Sequence, residues 1–268
     1  MTDYKDIKKH WDGLSSNESS YKSSWEDFYM LQKEINEICR YIKGNESICD
    51  IGCNNGYCDF KLLSIYRGIK IFGMDFSDKL IAEAQTNLKK SKFKSRTEFR
   101  VGNILDMHTF PKKRFDIVLI KRVLINLTGE KDQIIAIDNI KKLLNENGRI
   151  ILSEAVEENW LRLNRLRKEF GLEGLKQPWH NKYLSEKVIK HIYSNFNVEI
   201  DDDYSSSYYI LSRVFHPWMK KVNKDSTMEY LSEINRMSST IPNFGDYGTQ
   251  RIFVLSEKKS TNGVSWNK

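Results

Sequence analysis

Between residues 48 and 152 the chain alternates short apolar runs with stretches of helical spacing, and this rhythm restricts the fold more than any other feature. Segment 48–52 reads as a strand, 55–67 as a helix and 69–75 as a second strand. Ser77 is placed to cap a helix whose Leu80, Ile81, Ala84 and Leu88 share one face. Strands follow at 97–101 and 115–120. A helix then carries Ile134, Ile137, Ile140 and Leu144 in register, Asn147-Gly148 turns the chain, and 149–152 makes a fifth strand. Such alternation predicts a parallel sheet with helices on both faces.

The flanks read differently. Residues 1–22 are polar and begin without apolar periodicity, whereas Phe28, Leu31, Ile35, Ile38 and Ile42 recur at helical spacing before Gly44. After Glu154 come an insertion at 157–182 with helical stretches, an amphipathic helix at 183–195, a short strand at 197–201 and a Tyr-, Ser- and Trp-rich excursion at 202–247. Segment 250–255 is a credible last strand, and 259–268 a frayed tail. The expected organisation is therefore an N-terminal lid and helix (1–44), a ligand-binding core (45–156), the rest of the sheet with cap insertions at 157–182 and 202–247 (157–258), and the flexible tail.

Within 268 residues no apolar run approaches the roughly 20 needed to span a membrane. The start of the chain has no apolar leader core, so a cytoplasmic protein is expected. Cys39, Cys49, Cys53 and Cys58 lack metal-ligand spacing and neighbouring histidines, so they read as reduced buried thiols with no metal site.

The turn after the first strand, D-I-G-C-N-N-G, carries the functional information. Gly52 and Gly56 allow close backbone approach, as in dinucleotide-binding turns, but Asp50 is a poor neighbour for a diphosphate. A carboxylate there suits a ligand bearing ammonium and sulfonium groups, as S-adenosylmethionine does. The second strand ends in Asp75, about 20 residues beyond the glycine turn, where an acid can accept hydrogen bonds from ribose hydroxyls.

With DIGCNNG, Asp75 and the stretch FDIVLIKRVLINLTGEKDQIIAIDNIKKLLNENGRIILSE, the segment 48–155 resembles a class I S-adenosylmethionine-dependent methyltransferase. The resemblance implies an α/β, seven-stranded, mostly parallel Rossmann-like sheet with helices on both faces, an antiparallel last strand and a helical cap built from the insertions. It implies a cofactor site at Asp50, Gly52, Cys53, Asn54, Asp75, Phe76, Asn103, Ile104 and Lys121, with Tyr21 and Trp25 closing over it as a lid, and S-adenosylhomocysteine as product. Asn103 stands where the family commonly has an aspartate that meets the adenine amino group; its amide oxygen can still accept that bond.

The acceptor is argued from charge placement and from aromatic content. The basic clusters Lys89-Lys90, Lys112-Lys113-Arg114 and Lys141-Lys142 each precede a strand and so sit at the sheet edge opposite the ligand, which disfavours nucleic acid despite a net charge of +7. The ligand-side segments supply aromatics, amides and arginines: Arg122, Asn126, Asn181, Tyr208 and Arg213 are candidate substrate contacts. His180 is the first candidate for a general base and Glu154, at the end of the fifth strand, the second.

The segments KRVLINL, WHNKYL and SYYILSRVFHPW are similar to bacterial methyltransferases of surface-polysaccharide (capsule) pathways. That similarity implies a small acceptor, phosphorylated or not: a sugar, a sugar nucleotide or a phosphoramidate-type precursor. The enzyme would work as a monomer or homodimer. An RNA methyltransferase and a non-catalytic module of the same fold are the alternatives.

Overall fold

The computed structural model describes residues 3–15, 20–223 and 231–258. The tail expected at 259–268 lies outside them, as do short parts of the N-terminal segment and of the 202–247 excursion.

Seven strands form one sheet: β1 (Ser47–Ile51), β2 (Lys70–Asp75), β3 (Thr97–Val101), β4 (Phe115–Lys121), β5 (Leu144–Ala155), β6 (Phe196–Asp202) and β7 (Gln250–Glu257). Their spatial order is β3-β2-β1-β4-β5-β7-β6. The first five pair in parallel, while β7 runs antiparallel between β5 and β6. The crossover helices are α3 (Tyr57–Ile65), α4 (Asp78–Lys90), α5 (Glu130–Lys141) and, after β5, α6 (Glu157–Glu169) and α7 (Glu186–Asn195). The parallel strands are apolar along nearly their whole length because helices cover both faces. Two cores result: one holds Phe72, Val118, Ile137, Leu152 and Phe253, the other Leu31, Ile48, Leu62, Ile117 and Ile252.

Two elements depart from the sequence reading. The N-terminal segment is not aperiodic: Tyr4–Gly13 is a helix, α1, with Asp3 capping it through Lys5 N–H. And Asn147-Gly148 is not a turn between elements but a bulge within β5. Phe115 pairs with Leu144 and Ile117 already with Arg149, so the extra residues loop out of a strand that starts earlier than expected. The helix expected from the Phe28–Ile42 periodicity is α2 (Phe28–Cys39), started by the Asp27 side chain accepting from Met30 N–H. After β6 the chain forms Ser206–Tyr209 (α8), a π-helical stretch Ile210–Phe215 and His216–Val222 (α9).

At the centre of the sheet, Lys121 Nζ lies 2.5 Å from both oxygens of Asp50, with both side chains almost fully buried. Burial works against the ammonium, yet Asp50 holds the Lys121 pKa above its usual value. Asp59 lies fully buried behind them, and burial, with the Asp50 charge adding to it, pushes its pKa well up. Breaking a buried pair leaves one bare charge. Lys121→Met should therefore lower unfolding stability by about 3–5 kcal/mol in urea titration, and the double variant Lys121→Met/Asp50→Leu should recover much of that loss.

Candidate active site

The site lies beyond the carboxyl ends of β1, β2 and β4, where β1 and β4 part to opposite sides of the sheet order. Gly52 N–H and Cys53 N–H donate to Met74 C=O, which locks the turn onto β2. Gly52 has φ +76°, and a Cβ there would stand 2.2 Å from Val123 Cγ2, so the position requires glycine twice over. Asn54 takes φ 54°, and its backbone N–H donates to Asp75 Oδ2 at 2.9 Å; Ser77 N–H donates to Asp75 Oδ1. Burial raises the Asp75 pKa to about 6 against these two amides.

Around this turn is a cavity of about 280 Å³. Of the residues expected to hold the cofactor, Gly52, Asn54, Asp75, Phe76, Asn103, Ile104 and Lys121 line it. Asp50 and Cys53 lie behind the wall. Asp50 is 0 % exposed, and a bare carboxylate could not be carried there, which is why its charge is met by Lys121 from within the protein. The negative cradle expected from the sequence is thus an internally neutralised pair, with the lysine on the cavity side. Cys53 packs under the sheet end against Gly73. Asn103 Oδ1 accepts from Leu105 N–H at 2.9 Å, so one lone pair is spent on its own loop.

The cover over this cavity is α1 rather than Tyr21 and Trp25. Tyr4, Ile7, Lys8 and Trp11 line it from above. Polar ties to the core hold the helix there: Tyr4 Oη donates to Asp132 at 2.5 Å, Lys8 pairs with Asp78, Ser77 Oγ donates to Asp12 at 2.5 Å, and Trp11 Nε1 donates to Asn126 Oδ1 at 3.3 Å. Sequence reasoning missed these residues, although Tyr4, Ile7 and Trp11 stand at helical spacing behind Asp3. Tyr21 instead packs against Phe28 and Tyr57, and Trp25 lies 4.5 Å from the Arg122 guanidinium, facing a second space.

That second chamber, of about 420 Å³, adjoins the first. Trp11, Ser24, Arg122 and Asn126 line both. Hydrogen bonds join these four in sequence: Trp11 to Asn126, Asn126 Nδ2 to Arg122 C=O at 2.7 Å, and Arg122 Nη1 to Ser24 C=O at 3.0 Å. They form the rim between the chambers. Arg122 adopts φ 55° and is paired with buried Glu34 at 3.0 Å, so its side chain is fixed by the protein rather than left open for a ligand.

The remaining expected site residues divide between the chamber and the interior. His180, Asn181 and Arg213 line the second chamber. The His180 ring stacks on His10 at 4.3 Å and meets Trp11 and Trp179 edge-on; burial, with His10 adding to it, lowers its pKa to about 4. It is therefore neutral at ordinary pH, though a weak base. Arg213 pairs with Asp27, which also accepts from Tyr208 Oη at 2.6 Å. Tyr208 itself is fully buried, and its neighbour Tyr209 faces the chamber instead. Glu154 accepts from the backbone N–H groups of Val123, Leu124 and Ile125 and has no exposed surface. Burial pushes its pKa up to about 8 against those amides. Its oxygens hold the turn after β4, which leaves them no reach to an acceptor. Among the described residues no cluster of His, Cys, Asp and Glu is placed to hold a metal.

The fold is one that solved proteins share. Residues 42–224 match the family model described as a methyltransferase domain. The chain belongs to this methyltransferase family. Its fold superposes on the N-methyltransferase NodS of Bradyrhizobium japonicum WM9 in complex with S-adenosylhomocysteine, with a TM-score of 0.60 at 13% identity, covering 94% of this chain and 99% of that one. Magnesium protoporphyrin IX methyltransferase from Synechocystis PCC 6803, also with S-adenosylhomocysteine, gives 0.52 at 18% identity over 85% and 83%.

Curated relatives include a demethylmenaquinone methyltransferase of Leptospira interrogans, 26% identical over 133 residues (48% of this chain, 49% of that one). A tRNA U34 carboxymethyltransferase of Campylobacter jejuni is 29% identical over 133 residues (48% and 42%). The chain spans about half the length of the curated relatives it matches.

The family is that of a methyltransferase domain, and both solved neighbours named above hold S-adenosylhomocysteine. The first cavity suits it: a buried acid at the end of β2, a backbone turn opened by glycine, and apolar walls from Met74, Ile104 and Leu127. A carboxylate accepts from ribose hydroxyls, and protonation removes that acceptor strength, so binding favours ionised Asp75. S-adenosylhomocysteine should bind fully above pH 7 and weaken as pH falls through about 6. Titration calorimetry is expected to give an affinity about tenfold lower near pH 5 than near pH 7, with that step absent in Asp75→Asn.

Proposed function

We propose that this methyltransferase acts on a small polar acceptor seated in the second chamber, with the transfer taking place at the rim of Trp11, Ser24, Arg122 and Asn126. The observation that carries the reading is the continuity of the two chambers through those four shared residues. A volume of about 420 Å³ suits a compact molecule rather than a stretch of polymer. The acceptor class we assign is a sugar, a sugar nucleotide or a phosphoramidate-type precursor of bacterial surface-polysaccharide or capsule synthesis, made in the cytoplasm. The chamber's chemistry supports it: tryptophan faces suited to stacking, amides at Asn181 and Gln250, and Lys22 and Lys176 in its lining, able to balance a phosphate.

When bound, S-adenosylmethionine supplies a methyl group on a sulfonium, which an acceptor lone pair can displace in line. The protein's part is proximity and alignment. Gly52, Asn54 and Asp75 hold the nucleoside end, with Asn103 and Ile104 along the base. α1 keeps water out from above, and the rim admits the acceptor from one side. His180, neutral down to about pH 4, accepts a hydrogen bond from an acceptor hydroxyl and orients it. In this division the N-terminal segment 1–44 is cover and support, 45–156 holds the cofactor, and 157–258, with its insertions at 157–182 and 202–247 and the start of β7, supplies the acceptor side.

The basic clusters support the choice against nucleic acid. Lys89 and Lys90 end α4 and Lys112-Lys113-Arg114 precede β4, both at the far edge of the sheet. The test is methyl uptake, read by mass, from labelled S-adenosylmethionine into a panel of nucleotide sugars, sugar phosphates and bulk tRNA. Mass gain in one of the small acceptors, changing less than about threefold between 50 and 200 mM salt, is the expected result. Uptake by tRNA alone, falling steeply over that range, would overturn the assignment.

A further inference from the structure

The second chamber contains an imbalance that its fold does not resolve. Among the described residues, three side-chain atoms of its wall are hidden from bulk water without a hydrogen-bond partner: His180 Nδ1, Asn181 Oδ1 and Gln250 Oε1. Native interiors rarely leave such atoms alone, because each stays desolvated at a cost until a partner arrives. Two of the three are amide oxygens, which only accept; the third belongs to an imidazole held neutral beside His10.

The backbone around them is held firmly. Lys182 N–H donates to Ile125 C=O at 2.6 Å, Gln133 Nε2 donates to Lys182 C=O at 2.7 Å, and Asn181 N–H donates to Pro178 C=O, so the loop carrying His180 and Asn181 is pinned to the turn after β4 and to α5. Gln250 is the first residue of β7, opposite Ala155 at the end of β5, and its C=O accepts from Ser205 Oγ at 2.8 Å; the residue is only 4 % exposed. Collapse around the orphan oxygens is therefore resisted from two independent elements. The faces between them are flat and aromatic, from Trp25, Trp160, Tyr183 and Tyr209.

We infer that the acceptor is a hydroxyl- or amine-rich ring, and that Gln250 and Asn181 select it by accepting hydrogen bonds from its donors while the aromatic faces hold the ring. This inference rests on the methyl-acceptor reading of the second chamber and narrows it to donor-rich ligands. Aromatic walls alone would hold a quinone equally well. A quinone, though, offers only carbonyl oxygens, which cannot donate to Asn181 Oδ1 or Gln250 Oε1 and would leave both unpaired. Sites built to meet a hydroxyl discriminate strongly against analogues lacking it, because the site's own polar atom is then stranded.

The test uses the full chain saturated with S-adenosylhomocysteine and reads ligand binding by saturation-transfer NMR and calorimetry. The ligands are methyl α-D-glucoside, D-glucosamine, UDP-glucose and 1,4-naphthoquinone. At least one of the sugar ligands should bind, and naphthoquinone should not. Gln250→Leu should weaken the bound sugar about tenfold with the affinity for S-adenosylhomocysteine unchanged, and Gln250→Asn, which keeps a neutral amide oxygen, should bind the sugar more tightly than Gln250→Leu does. Asn181→Leu, on a surface loop, provides the same comparison without touching the sheet. Binding of naphthoquinone and of none of the sugars, or full sugar affinity in both leucine variants, would overturn the inference. Failure of the wild-type chain to bind S-adenosylhomocysteine would instead remove the methyl-acceptor reading beneath it.

Discussion

The ion pair between Arg122 and Glu34 organises everything on the ligand side of the sheet. Arg122 leaves β4 in a left-handed conformation that a side chain of its size adopts only when the surroundings hold it there. Glu34 rises from α2 to meet it and accepts from Ser153 Oγ on β5 as well. Ser24, Trp25 and the end of β5 complete the enclosure, since Arg122 N–H donates to Ser153 C=O. One guanidinium therefore ties the N-terminal segment, two strands and a helix together at the spot where the two chambers meet. The charge that looked available for a ligand is consumed in building the rim.

The same pattern recurs at three other buried charges. Asp50 is matched by Lys121, Asp27 by Arg213 and Tyr208, and Glu154 by three backbone amides. Burying a charge is tolerable only with such partners, and at these three sites they come from distant parts of the chain. What remains for ligands is the rim of Asp75 on one side and the unpaired amides and aromatic faces on the other. The first cavity thus combines a backbone turn and one acid with apolar walls, whereas the second is built mainly of polar and aromatic side chains.

This difference in construction explains what could be read in advance. The sheet, its helices and the glycine turn follow from periodicity and from residues that permit only one backbone course, so 48–152 was legible in outline. Asp75 was legible because it stands at a strand end within a counted distance of the turn. The pairing of Asp50 was not, because Lys121 is 71 residues away and only the β1–β4 adjacency brings it near. α1 was missed because its apolar face is three residues deep in an otherwise charged stretch, and its docking is made by single side-chain ties rather than by a broad stripe. Arg122 and Arg213 could be picked out as cations near the site, but their partners on α2 and at its start could not. Tyr208 and Tyr209 differ only in which way a short helix turns, and no spacing rule resolves that by one residue.

The antiparallel strand between β5 and β6 has a consequence for how the chain assembles. It delivers Gln250 to the same edge that Gly52 and Asp75 occupy. Its Phe253 and Ile252 sit in the same cores as Phe72 and Ile48, so the scaffold beneath the glycine turn stays unfinished until that strand is in place.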